Sequence, residues 1–120
     1  MSVMSFDHFV LNVEEDDVST AGSVYVVAPS DGKIEKVYSV IDGTIATAAA
    51  VATVKINGTA VTGGTITVAN SGSAAGDVDS CTPSGANKFV AGNYIEVANA
   101  GASTNTIQAN YTILCKLSTN

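Results

Sequence analysis

Residues 56 to 68 read INGTAVTGGTITV, in which Asn57-Gly58 and Gly63-Gly64 interrupt short runs of threonine and apolar residues. Asn-Gly between alternating runs is typical of a type I′ β-hairpin, because both central positions of that turn have φ above zero. The sequence therefore predicts a chain reversal at Asn57-Gly58. Gly63-Gly64 predicts a second reversal, which would place residues 65 to 68 in a third strand beside the first two.

Similar short strand patterns recur along the chain at intervals of about ten residues. In the clearest of them, alternate residues from Ile107 to Leu117 are apolar, and only Leu114 breaks the alternation. The ambiguous segment is 45 to 54, IATAAAVATV, since alanine favours helices. Its lack of charge and of capping residues, and its direct continuation into the hairpin, favour a strand. Further strand candidates are residues 24 to 27, 34 to 41, a short segment around Val78, and 93 to 98.

Together these patterns predict an all-β fold, a single-domain antiparallel β-sandwich that is jelly-roll-like and has about eight strands. Residues 23 to 120 would form the sandwich. Residues 1 to 22 contain one apolar alternation and then an acidic run, outside the regular pattern, and we interpret them as an N-terminal strand or arm. Residues 70 to 87, rich in Gly, Ser, Ala and Asn, are expected to form a long surface loop.

The charge balance limits the classes of partner. The 120 residues include 5 basic and 11 acidic side chains, for a net charge of −6, and every basic residue is a lysine. Because nucleic-acid recognition depends on clustered arginine and lysine, direct binding to nucleic acid is not expected. The N-terminal sequence has no basic region followed by a long apolar stretch, and we expect no membrane segment and synthesis in a host cytoplasm.

Residues capable of chemistry are few and scattered. His8 has Asp7 beside it, but neighbours on a strand point to opposite faces, so a catalytic dyad is not expected and an incidental or interface role is favoured. The acidic run Glu14 to Asp17 lacks the spacing of a calcium loop; a solvated cluster is favoured over a contact for a basic partner. We therefore predict no enzymatic activity, no metal site and no cofactor.

The two cysteines, Cys81 and Cys115, match no metal-binding or redox spacing. Cys115 lies on the apolar phase of the last strand, which favours a buried free thiol. A disulfide between the two residues stays open at this stage.

The order of the turns and strands carries a resemblance. The segments are APSDGKIEKVYSVIDG (28 to 43), VKINGTAVTGGTITV (54 to 68), NSGSAAGDVDS (70 to 80) and NKFVAGNYIEVANAGAST (87 to 104). In this order, before a final alternating strand, they resemble the small head decoration or capsid cement proteins of tailed bacteriophages, over about residues 20 to 118. The family offers no catalytic residues to transfer.

The resemblance implies a structural virion protein on the capsid exterior that binds the major capsid protein, ties neighbouring subunits together and stabilises the head. It also implies a homotrimer at three-fold or quasi-three-fold positions, with a terminal arm that reaches a neighbour. On that basis we place a candidate interface with the capsid or another protomer in the N-terminal segment. Its residues are Phe6, His8, Phe9, Leu11, Glu14, Glu15, Asp16 and Asp17.

One alternative is a carbohydrate- or receptor-binding β-sandwich module on a virion or cell surface, which requires exposed aromatic side chains. Tyr25, Tyr38, Tyr94 and Tyr111 all lie within strand candidates, which favours the structural role. A small hydrolase is the least favoured interpretation, because His8 and the scattered carboxylates form no recognisable constellation.

Overall fold

The computed structural model describes residues 7 to 118, and every regular element within them is a β-strand. In chain order these are β1 (His8–Glu15), β2 (Gly22–Val27), β3 (Gly32–Ile41), β4 (Ala50–Ile56), β5 (Thr59–Val68), β6 (Val78–Cys81), β7 (Lys88–Phe89), β8 (Tyr94–Asn99) and β9 (Ala109–Leu117). No helix within residues 7 to 118 is long and apolar enough to cross a membrane.

The strands form two antiparallel sheets. The first sheet has the order β1-β9-β3-β6, with the two-residue β7 also paired to β3, and the second has the order β2-β8-β4-β5. Strand β1 contacts β2 at one side of the molecule, and β5 contacts β6 at the other, so the edges of the two sheets are aligned. The predicted all-β antiparallel sandwich is confirmed.

The core lies between the two sheets and is built from alternate residues of each strand. In β9, the alternation predicted from the sequence is confirmed: Ala109, Tyr111, Ile113 and Cys115 are all buried. They face the apolar residues of the second sheet, and each isoleucine or valine buried in this way contributes about 1.5 to 3 kcal/mol of transfer free energy. Cys115 and Cys81 are both free thiols.

The hairpin predicted at Asn57-Gly58 is confirmed. Asn57 has φ of 48° and Gly58 has φ of 84°, as a type I′ turn requires. Strands β4 and β5 pair on either side of it, with Ile56 opposite Thr59. The Asn57 side chain also accepts a hydrogen bond from the backbone N–H of Tyr94, at 3.0 Å, which attaches the turn to β8.

The second reversal, predicted at Gly63-Gly64, is wrong. Strand β5 continues through both glycines, and the pairing with β4 shifts in register between Thr53 and Lys55. The extra residues of β5 form a bulge, in which the Thr62 N–H donates to the Gly85 carbonyl at 2.9 Å. Gly63 has φ of 76°, so its positive φ serves an irregularity within one strand and not a turn between two.

The strand predicted over residues 45 to 54 begins only at Ala50. The preceding residues form irregular backbone, in which Thr47 has φ of 74° and Ala46 makes an isolated bridge to Thr104. The loop predicted over 70 to 87 contains β6, as expected around Val78. Its Ser73 side chain is buried and hydrogen-bonded to the backbone of Ile45.

The N-terminal segment contributes β1, which pairs with β9 along its whole length, from His8 opposite Lys116 to Glu15 opposite Ala109. After β1, the Asn99 side chain donates hydrogen bonds to the carbonyls of Val18 and Thr20, each at 2.9 Å. The interpretation of residues 1 to 22 as a separable arm stays a prediction.

Candidate interaction surfaces

His8 bridges two carboxylates. Its Nδ1 lies 2.7 Å from Asp7 Oδ1, and its Nε2 lies 2.7 Å from Glu35 Oε1, 27 residues away in the sequence. The expectation that Asp7 and His8 point apart is wrong, because Asp7 precedes β1 and strand alternation does not apply to it. The hydrogen bonds to Asp7 and then to Glu35 raise the pKa of His8. The imidazole therefore connects β1 to β3, with both its nitrogens already engaged.

Two of the apolar candidates face the interior. Phe9 and Leu11 are partly buried and pack against the core, and the Phe9 ring meets Phe89 edge to face with centroids 6.1 Å apart. The residues of β1 that point outward are instead His8, Val10, Asn12 and Glu14. Phe6 lies outside the described residues.

The acidic run covers the end of β1 and the turn after it. Asp17 organises that turn, accepting hydrogen bonds from the Ser19 N–H and the Thr20 hydroxyl, each at 2.9 Å. These bonds lower the pKa of Asp17. A hydrogen bond to Asp16 raises the pKa of Glu14, and partial burial is the main cause that raises the pKa of Glu15. The carboxylates are thus crowded together, and part of the run has a local structural role.

Metal binding finds no support in the side chains that the structure describes. Within residues 7 to 118, no group of three or more His, Cys, Asp or Glu side chains is arranged to hold a metal ion. The thiol of Cys115 is also poorly suited to chemistry, since burial raises its pKa to about 12.

Lysines gather at the end of the first sheet where β1 begins. Lys33 of β3 lies opposite Lys88 of β7 and Lys116 of β9, and the three line a cavity of about 330 Å³. Lys36, also on β3, places its ammonium 5.4 Å from the centre of the Tyr38 ring. We call Lys33, Lys88 and Lys116, three of the five basic residues of an otherwise acidic chain, the lysine end. Lys36 lies further along β3, opposite Leu114.

Acidic side chains gather at the opposite end of the same sheet, where β1 ends beside β9 and β3. Asp42 follows β3 directly, and the backbone of Asp77 accepts a hydrogen bond from Ile41. We call this set the acidic end, and its members are Glu14, Glu15, Asp16, Asp17, Asp42 and Asp77. The first sheet is therefore polarised in charge along its strands.

The outer face of the first sheet carries apolar side chains between these two ends. Val10 is 49% exposed, Tyr38 38% and Val78 64%. Leu114 lies opposite Val10 and Lys36 in the strand pairing, which explains why it broke the alternation of β9. The apolar residues that break the alternation, Leu114 in β9 and Val10 in β1, were sequence signals that could have revealed this face.

A second exposed apolar patch lies on the outer face of the second sheet. Tyr25 of the edge strand β2 is 62% exposed and Tyr94 of β8 is 39% exposed. Their rings meet at a centroid distance of 5.7 Å, and Val27, opposite Tyr94, is also exposed. The sequence correctly assigned both tyrosines to strands, but assignment to a strand did not reveal that they face solvent.

No protein-family model matches the chain, and a comparison with curated proteins gives no match.

Comparison of the fold is informative. A chain of the acidic stable capsid structure of Helicobacter pylori bacteriophage KHP30 is similar with a TM-score of 0.60 and 16% sequence identity, over 97% of this chain and 92% of that chain. A chain of the cyanophage Pam1 capsid asymmetric unit has a TM-score of 0.49 at 12% identity, over 98% and 91% of the two chains. The catalytic domain structure of a GH87 alpha-1,3-glucanase in complex with nigerose has a TM-score of 0.50 at 12% identity, over 91% of this chain but only 22% of that chain. At these identities the likeness concerns the fold.

Proposed function

We propose that this chain is a structural virion protein that binds the outer surface of an assembled phage capsid. One observation carries the proposal: the fold matches a chain of the KHP30 capsid structure over nearly the full length of both chains. The glucanase match, by contrast, covers only 22% of that chain. The order of turns and strands in the sequence, which resembles that of capsid cement proteins, supports the same role independently.

We further propose that the partner is the major capsid protein and that the chain ties neighbouring copies of it together as a homotrimer at three-fold or quasi-three-fold positions. The charge of −6 would keep free copies apart until they dock. Docking of several linked copies on a lattice would raise the overall affinity far above that of one modest interface. Because such a protein binds the assembled shell in preference to free subunits, it would stabilise the shell by mass action.

The strand connectivity supports the jelly-roll form of the fold. Consecutive strands β1 and β2, and likewise β8 and β9, lie in different sheets, whereas β4 and β5 form a hairpin within one sheet. The two four-strand orders, β1-β9-β3-β6 and β2-β8-β4-β5, are those expected of two Greek keys folded into one double sheet.

The N-terminal segment is proposed to take part in the interface. Of its candidates, His8 and Glu14 are exposed on the outer side of β1, and Asp16 and Asp17 lie in the turn that follows. These positions could meet a basic surface of the shell. Phe9 and Leu11 would contribute indirectly, by fixing β1 against the core.

The decisive experiment adds the purified protein to empty mature capsids of the phage that encodes it. We expect saturable binding and a higher capsid disruption temperature. Capsids incubated with heat-denatured protein provide the control. Absence of saturable binding to those capsids would contradict the proposal.

Recognition of a carbohydrate or surface receptor is a second candidate, favoured by the exposed Tyr25 and Tyr94 pair. Aromatic rings are the groups that pack against apolar faces of ligands. A glycan array tests it: binding that is lost on Tyr25→Ala, but retained on Tyr38→Ala on the other sheet, would support this role. An array with no binding above background would exclude the glycans that it contains.

A further inference from the structure

The outer face of the first sheet has a regular arrangement along its strands. The register sets His8, Lys116 and Lys33 side by side in one row across β1, β9 and β3. The last row across the same strands contains Glu14 and Asn110, followed by Val40 and Val78. Between them lie a row with Val10, Leu114 and Lys36 and a row with Asn12, Thr112 and Tyr38. The face therefore has lysines over the half where β1 begins, Glu14 at the other end, and apolar side chains between and beside them.

In a two-sheet sandwich, the outward residues of each strand normally face solvent and are polar. Here Val10, Tyr38 and Val78 are all substantially exposed. Tyr38, Val40, Val78 and Thr112 also line a shallow cavity of about 250 Å³ on this face. The apolar surface is therefore continuous across β3 and β6, and β9 borders it with Thr112 and Asn110; a surface of this form can serve for docking.

We propose that this face docks against the same face of a second copy of the chain. The two copies are related by a two-fold axis that lies in the interface between them, perpendicular to the strands. Such an axis reverses the strand direction, so the lysine end of each copy covers the acidic end of the other. Lys116 of one copy then lies near Glu14 of its partner, and the contact occurs twice by symmetry. The rows that contain Val10 and Tyr38 meet at the centre.

The charges favour one of the two possible orientations of the two-fold axis. A two-fold axis parallel to the strands would place lysine end on lysine end and acidic end on acidic end, which like-charge repulsion disfavours. Asp7, Asp31 and Glu35 also lie near the lysine end, where Asp7 and Glu35 are hydrogen-bonded to His8 and Asp31 accepts a hydrogen bond from the Ala91 N–H. The arrangement with opposed ends is still favoured, because it keeps the two acidic ends apart. At the acidic end, the crowding that raises the pKa of Glu14 would be relieved by a lysine from the partner.

The size of the face sets the strength of the contact. Eight residues along β1 span about 26 Å, and four strands span about 19 Å, so each copy offers about 500 Å². The total of about 1,000 Å² is at the lower limit for a specific interface. We therefore expect pairing that depends on protein concentration and weakens as salt screens the charged ends.

This inference does not rest on the proposed function, since it concerns contacts between copies of the chain alone. It uses a two-fold axis, whereas the proposed trimer uses a three-fold axis, so the contact joins copies of different trimers where trimers form. Pairing therefore doubles the mass of the species that pairs, which is a single chain or, where trimers form, a trimer.

Sedimentation equilibrium over a range of protein concentrations tests the pairing. Glu14→Lys alone and Lys116→Glu alone each place like charges together twice in the paired form, and each should weaken pairing by about tenfold or more. The double variant Glu14→Lys with Lys116→Glu restores the opposite charges and should recover most of the pairing. Thr67→Lys, on the outer face of the second sheet, adds a lysine elsewhere and should have no effect.

Urea unfolding of each variant checks that it is folded, and Tyr38→Ser provides a variant without charge change that should also weaken pairing. A wild-type chain that shows no doubling of mass up to about 1 mM overturns the proposal. Failure of the double variant to recover pairing overturns the two-fold arrangement. If the wild type does not pair but Tyr38→Ser loses capsid binding, the occupant of the face is the capsid and not a second copy.

Discussion

Protonation of His8 is favoured in the folded chain, because Asp7 and Glu35 each hydrogen-bond one nitrogen of the ring. The pKa of His8 is raised above 6.5, so its contribution to stability is complete below about that pH and is lost as pH rises through the higher folded value. We expect the unfolding midpoint to fall slightly over that window. The effect is small because the side chain is exposed.

Thermal unfolding between pH 5.5 and 8.5 measures this dependence, and His8→Asn, which cannot titrate, is the matched variant. The wild type should lose more stability than the variant as pH rises. Identical profiles for the two proteins would show that the bridge contributes nothing to folding. A two-dimensional NMR titration of the ring would give the folded pKa directly.

The two thiols should differ sharply in reactivity. Burial raises the pKa of Cys115 to about 12, so its thiolate fraction at pH 8 is about one in ten thousand, and the sulfur is also inaccessible. Cys81 lies on β6 at the sheet edge and is only partly buried. We expect a thiol reagent to label Cys81 in the native protein and Cys115 only after unfolding.

Labelling of Cys81→Ser isolates the second thiol. Rapid modification of this variant under native conditions would contradict the burial of Cys115. Agreement between its labelling rate and its rate of global unfolding would support it, since the sulfur then becomes available only when the core opens.

At the scale of a single element, the β4-β5 hairpin depends on positive φ at its two turn residues. Replacing Gly58 by alanine should cost about 1 kcal/mol of unfolding free energy, because a Cβ disfavours the left-handed conformation. A Cβ there would meet only the Tyr94 hydroxyl, at the ordinary distance of 3.5 Å, so the cost reflects the backbone and not a clash.

Urea unfolding gives the free energy for Gly58→Ala, and Gly22→Ala is the control. Gly22 lies in a strand without positive φ and with nothing within 4 Å of an added Cβ, so that change should alter stability by less than about 0.5 kcal/mol. Equal effects of the two substitutions would refute the role assigned to the turn.

A local sequence pattern predicted an element correctly where that pattern has only one structural explanation. Alternation along Ile107 to Leu117 identified β9 because a strand with one buried face requires it. Gly63 was misassigned because positive φ serves both a turn and a bulge, and only the pairing with β4 distinguishes them. The irregular backbone of residues 45 to 49 was not predicted, because it is held by contacts with Thr104 and Ser73 that no local pattern contains.

At the scale of the whole molecule, the candidate surfaces depended on contacts that no local pattern contains. Glu35 reaches His8 only because β9 lies between β1 and β3, and the lysine end exists only because β3, β7 and β9 meet there. No local pattern indicates that three of the five lysines share one end of one sheet. The net charge of −6 is therefore correct for the chain but does not show how unevenly the charged side chains are distributed over the first sheet.

The N-terminal segment contributes to the stability of the whole fold through β1. Deleting residues 1 to 17 removes β1, its pairing along β9, the buried Val13 and the Phe9 contact with Phe89. We expect a loss of at least about 3 kcal/mol of unfolding free energy, measured by urea, because that apolar area and one whole ladder disappear. Deleting only residues 1 to 6, which leaves every described contact intact, is the control. If the longer deletion kept the wild-type midpoint and lost only capsid binding, the separable arm would be confirmed. A low midpoint would instead make β1 an integral strand, whose outward residues alone are available to a partner.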